Sequence, residues 1–226
     1  MSFDLAVRLA ELGLSFALMQ QSLEHWRAGG PERISHVLRM GLCILLALGV
    51  GTPWVTFALV LVSLWILNLF QGPYNGGSDR LGLLPLCCLC LAHNLPVQQW
   101  REYALGYLAV QVVLSYFIAG WVKIINPEWR SGRALQDVFL FSAYPVSEGF
   151  RRLALRPRLL LAMSWAVMAF ELMFPVTMLT RETLFVALGV AAVFHLANAC
   201  LFGLNRFFWT WVSTYPAVLW LQQRIM

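Results

Sequence analysis

Charge is what this 226-residue chain has least of. Asp, Glu, Lys and Arg together make up 12% of it, against about 25% in ordinary soluble domains. Lysine is scarcer still: Lys123 is the only one, beside fifteen arginines. Three catalytic signatures are missing. There is no P-loop to cradle a nucleotide, no HExxH pair to hold a catalytic zinc, and no GxSxG nucleophile elbow. Metal-ligand spacing is missing too. Cys87, Cys88 and Cys90 form a CCxC run inside one apolar stretch, with Cys43 and Cys200 alone in others. That spacing does not present four ligands to zinc, so no metal site is expected and the thiols read as small hydrophobes without a disulfide. A cleavable leader is not expected either. The start carries Asp4, no basic n-region and no small-residue cleavage site.

What fills the chain instead is apolar. Hydrophobic residues reach 60%, more than a soluble core of this size accommodates. The composition predicts an all-α, polytopic transmembrane bundle in a single domain, residues 1–226, with about seven to eight membrane segments and one interfacial or re-entrant segment. Candidate segments are 3–21, 37–51, 53–70, 81–97, 103–125, 159–180, 183–204 and 206–223. Gly51-Thr52-Pro53 separates the second from the third, because proline ends a helix. The first segment carries Arg8 and Glu11 on one helical face, so it either spans with that face buried or lies in the interface.

The net charge of +5 does not point to nucleic acid, since the arginines sit in short loops between apolar runs. If all eight segments span, one side receives Arg27, Arg33, Arg39, Arg80, the six arginines from Arg130 to Arg158, and Arg206. The other side receives Arg101, Arg181 and Arg224. The first side is therefore read as cytoplasmic. Membrane lipid is the expected surrounding partner. The stretch 126–158 is polar at its ends, yet its middle, ALQDVFLFSAY, is apolar. It is expected to form a helix lying in the interface or closing over a cavity, with Tyr144-Pro145 and Glu148 within it.

Ionisable residues inside the apolar runs are expensive and so are functional candidates. Glu171 lies in the middle of 159–180 and His195 in the middle of 183–204. A tight connection at Arg181-Glu182 makes these an antiparallel pair. Counted from the cytoplasmic ends at 1.5 Å per residue, Glu171 lies about 18 Å deep and His195 about 14 Å. They are expected to meet near the midplane, as a proton relay or as a buried pair locking two helices. Asn198 follows on the face of His195, and Arg206 closes the helix at the inner surface. Gln111, Tyr116 and Lys123 are expected to share a polar side of one helix.

Lys123 ends a long apolar run and is followed by Asn126-Pro127, Trp129 and Gly132. A lysine near a helix end commonly snorkels to headgroups. Arginine, used everywhere else, keeps its charge, whereas a desolvated lysine can give up its proton and act as a base or nucleophile. The loop Gln71–Arg80 holds Asn75 and the Gly76-Gly77 turn. Ser78-Asp79 then read as an N-cap for the following helix. His93-Asn94 mark an interface or a weak site near the outer end of that helix.

The run YFIAGWVKIINPEWRSGRAL resembles the signature of the horizontally transferred transmembrane (HTTM) domain, whose members include bacterial relatives of vitamin K-dependent γ-carboxylase. The resembling residues are Tyr116, Phe117, Ala119, Gly120, Lys123, Trp129 and Gly132. The NGGSD turn at 75–79, the segment with Glu171, and FHLANACLFGLNRFFW around His195 are similar as well. The resemblance implies a bacterial cytoplasmic (inner) membrane protein with Lys123 as a base, Glu171 and His195 as relay or positioning groups, and a reduced quinone as cofactor. Substrate or lipid contacts are expected at Tyr116, Gln111, Trp129, Asn75, Asp79, Asn198 and Arg206. The chain is far shorter than the eukaryotic carboxylase and has no room for its large non-membrane domain. Carboxylation of protein glutamates is therefore not expected. Small bacterial members are associated with the maturation of secreted peptide toxins, which implies a peptide substrate. The alternative is a non-catalytic membrane subunit that binds lipid or a partner subunit.

Overall fold

A computed structural model describes residues 1–27, 29–69, 78–141 and 148–226, without the side chains of Ser78, Asp79 and Glu148. The turn containing Asn75, the capping role of Ser78-Asp79, and Tyr144-Pro145 therefore lie outside the described residues, as does the Glu148 side chain. Twelve α-helices are described, with no strand among the described residues. They divide into two compact units, residues 1–110 with 206–225, and residues 111–205.

The first unit holds α1 (Phe3–Glu24), α2 (Gly30–Leu48), α3 (Thr52–Leu69), α4 (Ser78–Asn94), the start of α5 (Gln98–Ile125), α11 (Asn205–Val212) and α12 (Tyr215–Ile225). Helix α1 is its centre and packs on α2, α4 and α12. Its buried face runs through Ala6, Val7, Ala10, Leu14, Ala17 and Leu18 at helical spacing. At Gly13 a β-carbon would sit 2.9 Å from Ser213 Cα, so only glycine lets the α11–α12 turn approach this closely. The break between α2 and α3 falls where the sequence places it. Gly49 and Gly51 take φ of 75° and 60°, the left-handed region that ends a helix at low cost. The final apolar run is two helices rather than one. Pro216 lacks the N–H that would continue α11. Ser213 and Thr214 instead turn their hydroxyls back onto the carbonyls of Thr210 and Trp211.

The first segment is a core helix whose charged face is buried. Glu11 is 2% exposed. It accepts from Arg8 Nη1 at 3.0 Å and is paired with His93 Nε2 of α4. Arg8 also donates to the carbonyls of Leu46 and Ala47, supplying partners for the last turn of α2 that the helix itself cannot. Asp4, Arg8, Glu11, Gly49, His93 and Arg101 line a cavity of about 400 Å³. The start of α1, the α2–α3 turn, the end of α4 and the start of α5 thus share one end of this unit, as alternating helices require.

The second unit holds the rest of α5, then α6 (Pro127–Arg130), α7 (Arg133–Phe141), α8 (Glu148–Arg151), a 3-10 turn (Arg152–Leu155), α9 (Pro157–Met173), a second 3-10 turn (Phe174–Leu179) and α10 (Arg181–Phe202). The polar stretch after α5 is too short in each piece to cross a membrane. It packs against α9: Leu135 and Phe139, four apart on α7, bury against Ala154 and Leu160 with Trp129 and Phe202 around them. Gln136 Nε2 donates to the Ala154 carbonyl at 2.9 Å.

Among the described residues, four helical segments are long and apolar enough to cross a membrane: Thr52–Leu69, Gln98–Ile125, Pro157–Leu179 and Arg181–Phe202. Large apolar side chains such as Trp54, Trp65, Tyr103, Trp121 and Val193 point outward from them, as they must where the solvent is lipid. The chain is an integral membrane protein. The five cysteines are free, with Cys43 and Cys88 buried and Cys87 and Cys200 exposed.

Replacing Glu11 with Ala leaves the Arg8 guanidinium and His93 without their shared carboxylate. Loss of one partner from a buried charge pair costs about 3–5 kcal/mol. Glu11→Ala is expected to lower the denaturation midpoint in detergent sharply, and Glu11→Gln, which retains an acceptor oxygen, by less.

Candidate functional site

Each landmark of the segment Ser115–Gly132 has a mechanical reason. Gly120 lies on α5 where a β-carbon would meet Leu172 N at 2.8 Å and Glu171 Cβ at 3.0 Å. No side chain fits there, so α5 and α9 touch backbone to backbone. Asn126 then caps α6, its side chain accepting from Glu128 N at 2.9 Å, with Pro127 at the first helical position. Gly132 combines φ of 79° with a β-carbon position 2.9 Å from Leu161 Cα. It lets the chain turn tightly against α9. Two bonds fasten the turn: Ser164 Oγ donates to the Trp129 carbonyl at 2.6 Å, and Trp165 Nε1 to the Arg130 carbonyl at 3.1 Å.

The close approach at Gly120 delivers Lys123, one turn on, to Glu171. Lys123 Nζ donates to Oε1 at 2.7 Å and to Oε2 at 2.6 Å. The Glu171 side chain is 4% exposed and that of Lys123 19%. The Trp129 ring centroid is 5.3 Å from Nζ, within cation–π range. Lys123 stands two residues from the end of α5, where snorkelling is the ordinary outcome. Here its partner lies about 21 Å along α9, and α6 turns Trp129 back over the amine. The lysine points into protein.

Two turns earlier on α5, Tyr116 OH is 2.8 Å from His195 Nε2. Both are buried. Tyr116 stacks on Phe174, with centroids 4.1 Å apart, and meets Phe170 edge-on. Phe194 flanks His195.

The structure thus assigns Glu171 and His195 different partners from those expected. Each takes a partner on α5, Glu171 at Lys123 and His195 at Tyr116. Lys123 and Tyr116 are separated by about 10 Å of helix axis. Tyr116 and Lys123 do share a side of α5, seven residues apart. Gln111, twelve residues from Lys123, lies about 120° round the helix from it. It is half-buried, and its carbonyl accepts from Ser115 Oγ. Asn198 follows His195 on α10, where its carbonyl takes part in the helix cap at Gly203. Arg206 belongs to the first unit, where it pairs with Glu24 and His25. Asp79 begins α4 and Asn75 precedes it outside the described residues.

The HTTM domain model matches residues 90–222, more than half of the chain. The chain belongs to the HTTM family. The match takes in the whole second unit, including Lys123, Glu171, Tyr116 and His195, and leaves α1, α2 and α3 outside it. No curated protein and no solved structure shows a significant match to this HTTM protein.

Two clusters escaped the sequence reading. Pairing of Glu11 with His93 joins residues 82 apart, and their only sequence signal was the placement of each inside or beside an apolar run. A second group, His25, Glu32, His36 and Arg39, gathers where α1 ends and α2 begins. Its signal was a concentration of histidine in a chain that has only four.

Gly120→Ala tests the contact that builds the lysine site. Overpacking at a backbone contact costs about 1–3 kcal/mol. The variant is expected to unfold earlier and to lose the Lys123–Glu171 hydrogen bonds, read as a changed NMR signal of the single labelled lysine.

Proposed function

We propose that this HTTM protein is an integral-membrane enzyme in which Lys123 is the base. One observation carries the reading: the sole lysine donates to both oxygens of a buried glutamate and is shielded by Trp129. A buried ion pair contributes little stability compared with apolar residues of equal size. Its presence on two facing membrane helices therefore favours a chemical use. In this reading Glu171 accepts a proton from Lys123 Nζ, which leaves a neutral amine beside a neutral acid. The amine then takes a proton from the substrate, and Glu171 gives its own up to water or to the product, which restores the ammonium–carboxylate pair.

Tyr116 and His195 form the second element. The imidazole is held by the phenol hydroxyl and by aromatic neighbours, a setting that orients it and limits water. Tyr116, Phe170 and Phe174 pack on one another, so Trp129 beside the amine is the aromatic group that would meet a planar ring such as a reduced quinone. When bound, such a ring supplies an acidic hydroxyl. Lys123 would receive that proton, and Trp129 would hold the ring. A quinone or lipid substrate, or a peptide being matured, is the substrate class in this reading, and the bacterial cytoplasmic membrane its site.

The alternative is a non-catalytic membrane subunit that binds lipid or a partner protein. The bidentate Lys123–Glu171 bonds favour it too, since they join α5 to α9 as a lock.

Lys123→Arg separates the two. The charge survives, but arginine does not act as a base. Purified protein supplied with a reduced quinone, and with dioxygen as the two-electron oxidant, is expected to oxidise it faster than the uncatalysed reaction, and Lys123→Arg to lose at least about 100-fold of that turnover, a typical general-base contribution, with unchanged membrane accumulation. Retained turnover in the variant removes the base role. Under the subunit reading Lys123→Arg is tolerated, while Glu171→Ala or His195→Ala lowers the amount of folded protein.

A further inference from the structure

A second polar centre lies in the first unit, apart from the lysine site and largely outside the HTTM match. The rings of His25 and His36 stack with centroids 4.5 Å apart and 10° between planes. His25 Nδ1 is 2.7 Å from a Glu32 oxygen, and Arg206 Nη2 is 2.9 Å from His25 Nε2. Arg39 Nη2 is 3.3 Å from His36 Nδ1, and Arg39 Nε donates to Ser22 Oγ at 2.7 Å.

Arginine only donates, so these contacts assign the tautomers. His25 accepts at Nε2 and donates from Nδ1 to Glu32. His36 accepts at Nδ1 and carries its proton on Nε2. His36 is 2% exposed, and its Nε2 is buried with no hydrogen-bond partner. One turn back from His25, on the same face of α1, Gln21 is 1% exposed with both amide atoms in the same condition. A buried donor in this state calls for an acceptor.

Two classes of ligand compete. His25, Glu32 and His36 are metal-ligating types with ligand atoms within 4.8 Å of one another. A cation is nevertheless opposed on three grounds. A ring nitrogen that binds metal leaves its other nitrogen protonated, and those other nitrogens face arginine donors. Parallel stacked rings aim their lone pairs side by side rather than at one centre. Finally, the field is positive: burial first, then Arg39, His25 and Arg206, hold the His36 imidazole down at about 3. The nearby carboxylates are engaged, Glu32 by His25 and Glu24 by Arg206.

We propose that this cluster is an anion site, taking a phosphate-class oxyanion that accepts from His36 Nε2 beside the guanidiniums of Arg39 and Arg206. The group is either the headgroup phosphate of an anionic lipid or free phosphate. The position agrees with both, because the site lies at the arginine-rich end of the unit, beside Arg27 and Arg33 in the chain. It does not depend on the function of Lys123.

The test uses the full chain, delipidated in a non-ionic maltoside detergent and labelled with ¹⁵N-histidine. The His36 signal is identified by its loss in His36→Gln. Inorganic phosphate is titrated in one arm and phosphatidylglycerol in the other. A saturable shift of His36 Nε2 is expected in at least one arm, and the arm that responds at lower concentration names the source. Arg39→Gln is expected to weaken that response at least tenfold. Arg206→Gln, at a more exposed position, provides the same comparison should Arg39→Gln fail to fold by thermal unfolding. No saturable shift in either arm overturns the proposal. So does an undiminished response in the folded variants, or a saturable shift produced by Zn²⁺ in place of both anions.

Discussion

The backbone contact between α5 and α9 at Gly120 is the constraint on which the lysine site depends. A helix pair normally keeps its axes apart by the thickness of its side chains. Here one residue without a side chain lets Glu171 Cβ and the Leu172 amide come against α5. Lys123, one turn on, then reaches both oxygens of Glu171. The same closeness is maintained further on by Gly132 against Leu161 and by the two bonds from Ser164 and Trp165 to the α6 turn. A motif that reads as a string of unrelated residues is therefore one device. Two glycines set the distance, Asn126 and Pro127 start the turn, and Trp129 covers the amine.

This arrangement changes the meaning of a lysine at a helix end. Position along α5 alone places Lys123 where its amine would reach headgroups. The stretch after α5 folds back over the first turns of α9 through Leu135, Phe139 and Leu160, and the amine is enclosed by protein. Burial of the charge is then supportable only because Glu171 supplies both oxygens. The tyrosine–histidine pair two turns away is separate in its bonding and joins α5 to α10.

The first unit solves its own electrostatic problem differently. Its buried charges gather in two groups. In one, Glu11 joins α1 to α4, and Arg8 satisfies carbonyls at the end of α2. In the other, the stacked His25 and His36 meet Glu32, Arg39 and Arg206. Arg8 and Arg39 draw on backbone carbonyls and a serine hydroxyl as well, whereas Lys123 Nζ and the Glu171 carboxylate bond each other.

The membrane class, the helical architecture and the edges of most helices were determined by the sequence itself, because hydrocarbon demands long apolar runs and glycine or proline marks where they stop. Family membership was legible in the same way, since the motif from Tyr116 to Gly132 is contiguous. Glu171 and His195 were also legible as candidates, each being a costly group within an apolar run. Their partners were not. Depth counted along two helices brought these two together, but which side chains meet depends on the rotation and closeness of a third helix, and Gly120 decides both. The final apolar run reads as one segment, and only the hydroxyl turn at Ser213-Thr214 shows two helices. Pairings such as Glu11 with His93, and the stacked histidines beside Arg39, join residues distant in the chain. Tertiary structure alone decided them, because no local periodicity records what lies opposite a helix face.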